Sequence, residues 1–193
     1  AAFLLAVQFA FGNSQSAITN LQFAIEAAHH GDTLIVPTGT YNGNLLINKR
    51  LTLIGIDNPI LRGTDKGSVI TITADSCVVR GFIIEHSGSM LVDEDAGILL
   101  KSNYNRVEKN DLRDVLFGIY LLHAERNLIL NNHIVGRRQL EFGERGSGIH
   151  IWNSQHNRFL GNIITDVRDG FYIQNANHSW IENNQSFNVR YGV

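Results

Sequence analysis

The residues best able to do chemistry lie mostly in the second half of this sequence. His150 and His156 sit beside Trp152 in GIHIWNSQHNRFLGN, and His178 stands one internal repeat beyond His156. Imidazoles brought within about 5 Å by stacked strands could share a soft or borderline metal such as copper. Met90, close to His86 in EHSGSMLVDEDAG, adds a thioether suited to Cu(I). His150, His156, His178 and Met90 are therefore the candidate copper ligands, with exposed turn histidines as the plainer alternative.

A second group is a strip of mixed chemistry: Tyr120, His150 and Tyr172 recur at one position of the repeat. Arg168-Asp169 and Arg190 stand just before neighbouring glycines, and Glu144-Arg145 lie in a long insertion. These eight residues form the candidate partner-binding face. A third group is acidic. Asp114 and Asp166 share a column but have a lengthened unit between them, about 9–10 Å. Asp93, Glu94 and Asp95 form a run that usually marks a solvated loop. Nothing combines two close carboxylates with a cation and a histidine, so the residues read as a binding protein rather than an enzyme. A carbohydrate-active lyase, hydrolase or epimerase is the alternative, with a ligand-free surface solenoid behind it.

Composition narrows the classes further. The chain has 193 residues, 44% of them hydrophobic, and a formal charge of −2. That is enough apolar matter for one core, and too little clustered positive charge for nucleic acid. The single Cys77 excludes an intramolecular disulfide. The opening AAFLLAVQFAFGNSQSA reads as residues 1–17 of a signal-peptide remnant, too short to span a bilayer, which makes the protein exported and not membrane-spanning. Residues 18–193 form the remaining domain, which breaks off in mid-repeat at Val193 and is read as truncated there.

These side chains must be held by a repeating scaffold. A helix is predicted over AITNLQFAIEAAHHGD, capped by Thr19 or Asn20 and ended by Gly31. From about Ser76 the chain repeats. Asn105, Asn127, Asn157 and Ser179 open successive units, and Asn110, Asn132, Asn162 and Asn184 follow at a fixed distance. Gly97, Gly118, Gly148 and Gly170 each precede an apolar residue. A period of about 22 residues without an intervening helix is too short for a strand–helix–strand unit. It fits an all-β, single-stranded right-handed parallel β-helix, with a short N-terminal α-helical cap and an asparagine ladder.

Within that scaffold, GDTLIVPTGTYNGNLLINKRLTLIG resembles the opening of pectin-lyase-like β-helix proteins. RRQLEFGERGSGIHIWNS, RDGFYIQNANHSWIENN and VRYGV resemble the NosD family, the periplasmic β-helix component that helps mature the copper centre of nitrous oxide reductase. The resemblance covers residues 31–193. It implies a periplasmic, non-catalytic accessory protein that handles copper and works with an ABC transporter ATPase, its permease and nitrous oxide reductase. Family members usually continue past the equivalent of VRYGV with a His-Tyr-Met-Tyr run, which this sequence does not contain.

Overall fold

The computed structural model describes residues 20–193, so the leader-like run 1–17 lies outside the described residues. The described residues open with α1, Leu21–Ala27. The Asn20 side chain accepts a hydrogen bond from the Phe23 N–H at 3.2 Å, which satisfies one of the free donors of the first turn. Leu21 and Ile25 bury one face against the first coil. The helix is shorter than predicted: Ala28 is already extended, and Gly31 (φ +91°) turns the chain into the coils. Lys49 donates to the carbonyls of Glu26 and Ala28, meeting the negative end of the helix with a cation.

Each coil then contributes one short strand to each of three parallel sheets. The first sheet runs from Thr33–Val36 to Trp180–Glu182, the second from Thr40–Asn42 to Gln185–Phe187, and the third from Leu45–Ile47 to Phe171–Gln174. Alternation sends one set of side chains inward, so Val79, Val107, Ile129 and Phe159 stack in the core, as do Ile84, Leu112, Ile134 and Ile164. The architecture is the all-β right-handed parallel β-helix that the repeat predicted, with its helix at the N-terminal end.

Two asparagine ladders, not one, hold the corners. The Oδ1 atoms of Asn105, Asn127 and Asn157 each accept from the backbone N–H one coil below: Cys77, Asn105 and Asn127 respectively, all at 2.8 Å. The second ladder joins Asn110, Asn132, Asn162 and Asn184 in the same way. Asn132 is buried; its Oδ1 accepts from the Asn110 N–H and its Nδ2 donates to Val107 O. Replacing Asn132 with alanine leaves those two groups unpartnered away from water, and thermal or denaturant unfolding is expected to register a loss of about 3 kcal/mol.

Left-handed residues form their own columns beside the ladders. Tyr104, Arg126, His156 and His178 have φ of 59°, 55°, 58° and 58°. Histidine is enriched in this conformation, so the corner explains why two imidazoles stand there. The glycines ahead of the third sheet answer a different need. A Cβ at Gly118 would overlap the Gly148 carbonyl and Ile134, and one at Gly148 would overlap Ile164. At this corner two consecutive residues, Gly118 then Ile119, both face the core, and only glycine fits the first place.

From Cys77 onward coil length varies by more than one residue at one corner only. Equivalent asparagines are 22 residues apart in the plain coils, but Cys77 to Asn105 takes 28 and Asn127 to Asn157 takes 30. The extra residues emerge between the second and third sheets, at 87–95 and 136–147, with one plain coil between them. Each contains a single turn of 3-10 helix, Leu91–Asp93 and Phe142–Glu144.

Candidate functional site

Both insertions fold over the outer face of the third sheet. In register on that face stand Leu99, Tyr120, His150 and Tyr172. The sequence expected an open strip here. Instead Tyr120 is 4% exposed and His150 6%, and only Tyr172, on the plain coil beyond both insertions, is half-buried. Ala96, Leu99, Leu116, Phe117 and Tyr120 form a second apolar cluster outside the barrel, onto which Leu122, Leu140 and Trp152 pack. The partner-binding face thus divides into a covered half and an accessible half.

The covered half centres on His150. Its ring is stacked between Tyr120 (centroids 4.3 Å, planes 10° apart) and Tyr172 (4.5 Å, 20°), with Phe117 edge-on at 5.3 Å and Trp152 at 6.3 Å. Both ring nitrogens are buried without a hydrogen-bond partner. Burial chiefly, helped by the Arg168 charge and opposed by Asp169, brings the imidazole down to about 4, so the ring is neutral at pH 7. Tyr120 donates to Glu94 Oε1 at 3.0 Å; burial, then that bond, raises its phenol well above the usual range. Ser147, level with Phe117 and Asp169 on the neighbouring coils, is also buried with its hydroxyl unpartnered.

The accessible half carries charge. Asp169 is buried and accepts from Arg168 Nε at 2.9 Å and from Arg190 Nε and Nη2, both at 3.1 Å. Two guanidinium groups on one carboxylate leave one positive charge uncompensated. Arg190 also lies 4.9 Å from the Tyr191 ring centroid, and the Tyr172 hydroxyl donates to Gln174 at 3.3 Å. The result is an edge of aromatic and cationic groups beside Trp152.

The insertion residues divide too. Arg145 is buried, donates to the carbonyls of Leu140 and Arg138, and covers the Phe142 ring at 4.4 Å, so it shapes its own loop. Glu144 is exposed and helps line a cleft of about 420 Å³ between the insertions, with Ser89, Met90, Leu91, Val92, Leu140 and Gly143. Arg137, absent from the sequence-based site, is the clamp. It is buried and donates to Ser87 O, Gly88 O, Ser89 Oγ and both Asp114 Oδ1 and O, tying one insertion to the other across the intervening coil. Its importance was hidden because its partners lie up to 50 residues away in sequence.

The copper expectation is not upheld. Among the described residues no group of three or more His, Cys, Asp and Glu side chains could hold a metal ion. His156 and His178 do stack, at 5.1 Å between centroids, but as an exposed pair with no third ligand. The nitrogens of His150 are sealed, and Met90 lies on the other insertion. The acid pair is also dispersed: Asp114 is bound by Arg137, and Asp166 accepts from Asn188.

Comparison with known proteins supports the fold. The "Probable ABC transporter binding protein NosD" of Pseudomonas aeruginosa is 33% identical over 134 residues, which is 68% of this chain but 31% of that protein. This chain therefore spans about a third of the length of that curated relative. Among solved structures, the alginate lyase of Paenibacillus sp. str. FPU-7 superposes with a TM-score of 0.75 and 19% identity, over 86% of this chain and 63% of that one. The catalytic domain of a GH87 alpha-1,3-glucanase, solved with tetrasaccharides, gives 0.61 and 14%, over 80% and 34%. Both solved structures are named as polysaccharide-cleaving enzymes, so the same fold carries catalysis and the expectation of a non-catalytic protein is not upheld; at 19% and 14% identity the likeness is one of fold. No helix among the described residues is long and apolar enough to cross a membrane. Residues 45–193 match the model of the right handed beta helix region, and this chain belongs to that family.

Proposed function

We propose that this chain is the saccharide-binding part of a carbohydrate-active β-helix protein and takes an acidic polysaccharide along the outer face of its third sheet. The observation that carries this reading is the accessible end of the aromatic strip, Tyr172 with Trp152, beside Arg168 and Arg190. Sugar rings lie on aromatic faces, and planar guanidinium groups recognise carboxylates with two parallel hydrogen bonds. The positive charge left over around Asp169 complements a uronate carboxylate. Neutralising that carboxylate acidifies the adjacent carbon-bound hydrogen, the requirement of a lyase or epimerase, and the accessible phenols Tyr172 and Tyr191 are the proton-transfer groups on this edge. The fold shared with an alginate lyase supports the same substrate class.

Alginate, polygalacturonate and a neutral glucan, offered separately, discriminate the possibilities. Calorimetric binding to an acidic polymer, with ultraviolet absorbance from unsaturated ends if elimination occurs, is expected. Arg190→Ala and Tyr172→Ala should each weaken binding about tenfold. Absence of binding to all three polymers would sink the reading.

The NosD relative supports a second use of this face, as a docking surface for the ATPase and permease subunits of an ABC transporter in the periplasm. Co-purification with those subunits, and with nitrous oxide reductase as a separate arm, tests it. Loss of capture on Arg190→Ala is the expected result, and capture unchanged by that substitution would refute it.

A further inference from the structure

Residues 138–144 are attached to the coils in an unusual way. Among the described residues, every hydrogen bond they make has its partner within 137–145: Leu140 N–H to Arg137 O, Glu144 N–H to Glu141 O, and Arg145 to the carbonyls of Leu140 and Arg138. Pairing with neighbouring coils stops at Gly136, which donates to Thr165 O, and resumes at Gly146, which accepts from the Arg168 N–H. Between those points a single apolar side chain, Leu140, packs onto the covered cluster of Phe117 and Tyr120. A segment with few buried contacts and self-contained hydrogen bonds opens locally at low cost.

Beneath it lies an unresolved balance. His150 is more than nine-tenths buried with both nitrogens unpartnered, and the Ser147 hydroxyl three residues before it is in the same condition. Buried polar groups are almost always hydrogen-bonded, and each exception costs about 1–3 kcal/mol. Both faces of the imidazole are occupied by tyrosines, so only its edge is free to meet a ligand. Beside the segment is the cleft of about 420 Å³, within the size range of small-molecule sites, bounded on its far side by Met90, Leu91 and Val92.

We infer that residues 138–144 are a flap, and that its opening joins the cleft to the His150 edge as one saccharide subsite in which His150 and Ser147 hydrogen-bond sugar hydroxyls. The inference rests on the saccharide reading above and extends it under the insertions. A neutral imidazole offers one donor and one acceptor, and a serine offers both, which matches vicinal hydroxyls. Opening moves Leu140 away from Tyr120 while Arg137 keeps the flap base in place.

Diethyl pyrocarbonate labelling read by peptide mass spectrometry tests this on the full chain, with a mannuronate tetrasaccharide as the probe. In the free protein His150 should label more slowly than the exposed His156 and His178. Leu140→Ser, and separately a Gly-Gly replacement of 138–144, should each speed His150 labelling about tenfold by shifting the opening equilibrium. The tetrasaccharide should protect His150 and leave His123 unchanged. If neither variant speeds labelling, the segment is no flap and the inference falls. If the tetrasaccharide changes Trp152 fluorescence without protecting His150, the buried nitrogens hold water only; the inference falls while the saccharide reading stands. If it binds nowhere on the chain, the inference falls, and the saccharide reading falls with it only when alginate, polygalacturonate and the neutral glucan also fail to bind.

Discussion

Replacing Arg137 with methionine is expected to destabilise the chain by about 3–5 kcal/mol and to release both insertions together. The guanidinium is buried and makes five hydrogen bonds, to Ser87, Gly88, Ser89 and Asp114. Methionine fills much of the volume but leaves the Ser87 carbonyl without its guanidinium donor, the Gly88 carbonyl with the Ser87 hydroxyl alone, and the Asp114 carboxylate without Arg137. Because a chelating clamp links two loops, its loss should also change local order. Limited proteolysis should shift to 87–95 and 136–147 while the ladders stay protected. Hydrogen exchange confined to one insertion, or a stability loss below about 1 kcal/mol, would contradict the clamp.

Acid should destabilise the native protein through His150. Its folded value of about 4 lies below the ordinary 6.5 of an unfolded chain. Above pH 6.5 the ring is neutral in both states and the stability is intact. As the pH falls, the unfolded chain takes up a proton that the folded chain refuses until about pH 4, so stability drops across that window and then levels off. The contribution lost is about 3 kcal/mol. His150→Phe removes the titration and the two unpartnered nitrogens while keeping a ring between Tyr120 and Tyr172. Its unfolding free energy should match or exceed wild type by about 1 kcal/mol at pH 7, and the gap should widen toward pH 4. Parallel pH profiles for the two proteins would show that the wild-type imidazole is not sealed. A histidine kept where phenylalanine would be more stable fits a site retained for binding.

Much of the scaffold was legible because a β-helix writes its geometry into a linear period. Asn110, Asn132, Asn162 and Asn184 recur because each coil presents the same unpaired backbone N–H to the coil above. Gly118, Gly148 and Gly170 recur because each faces the core at the same crowded corner. The histidines at 156 and 178 misled for the same reason: a left-handed bend recurs there, and a repeated residue can mark a repeated bend instead of a repeated ligand.

The second insertion was legible as a lengthened unit and the first only as a loop. Alternation within IHIW correctly turned His150 away from the core, yet away from the core was not into solvent, because 87–95 and 136–147 fold back over that face. Period and alternation are local quantities, set by backbone pleat and coil length, so the sequence by itself determined the β-helix, its ladders and which way each strand residue points. What covers a face depends on contacts across tens of residues, such as Arg137 with Ser87 and Leu140 with Phe117 and Tyr120, which carry no periodic signal. Only the tertiary structure could decide that the imidazole beside the tyrosines is buried and neutral under a loosely held loop, and that the arginines around Asp169 form the open edge of the same strip.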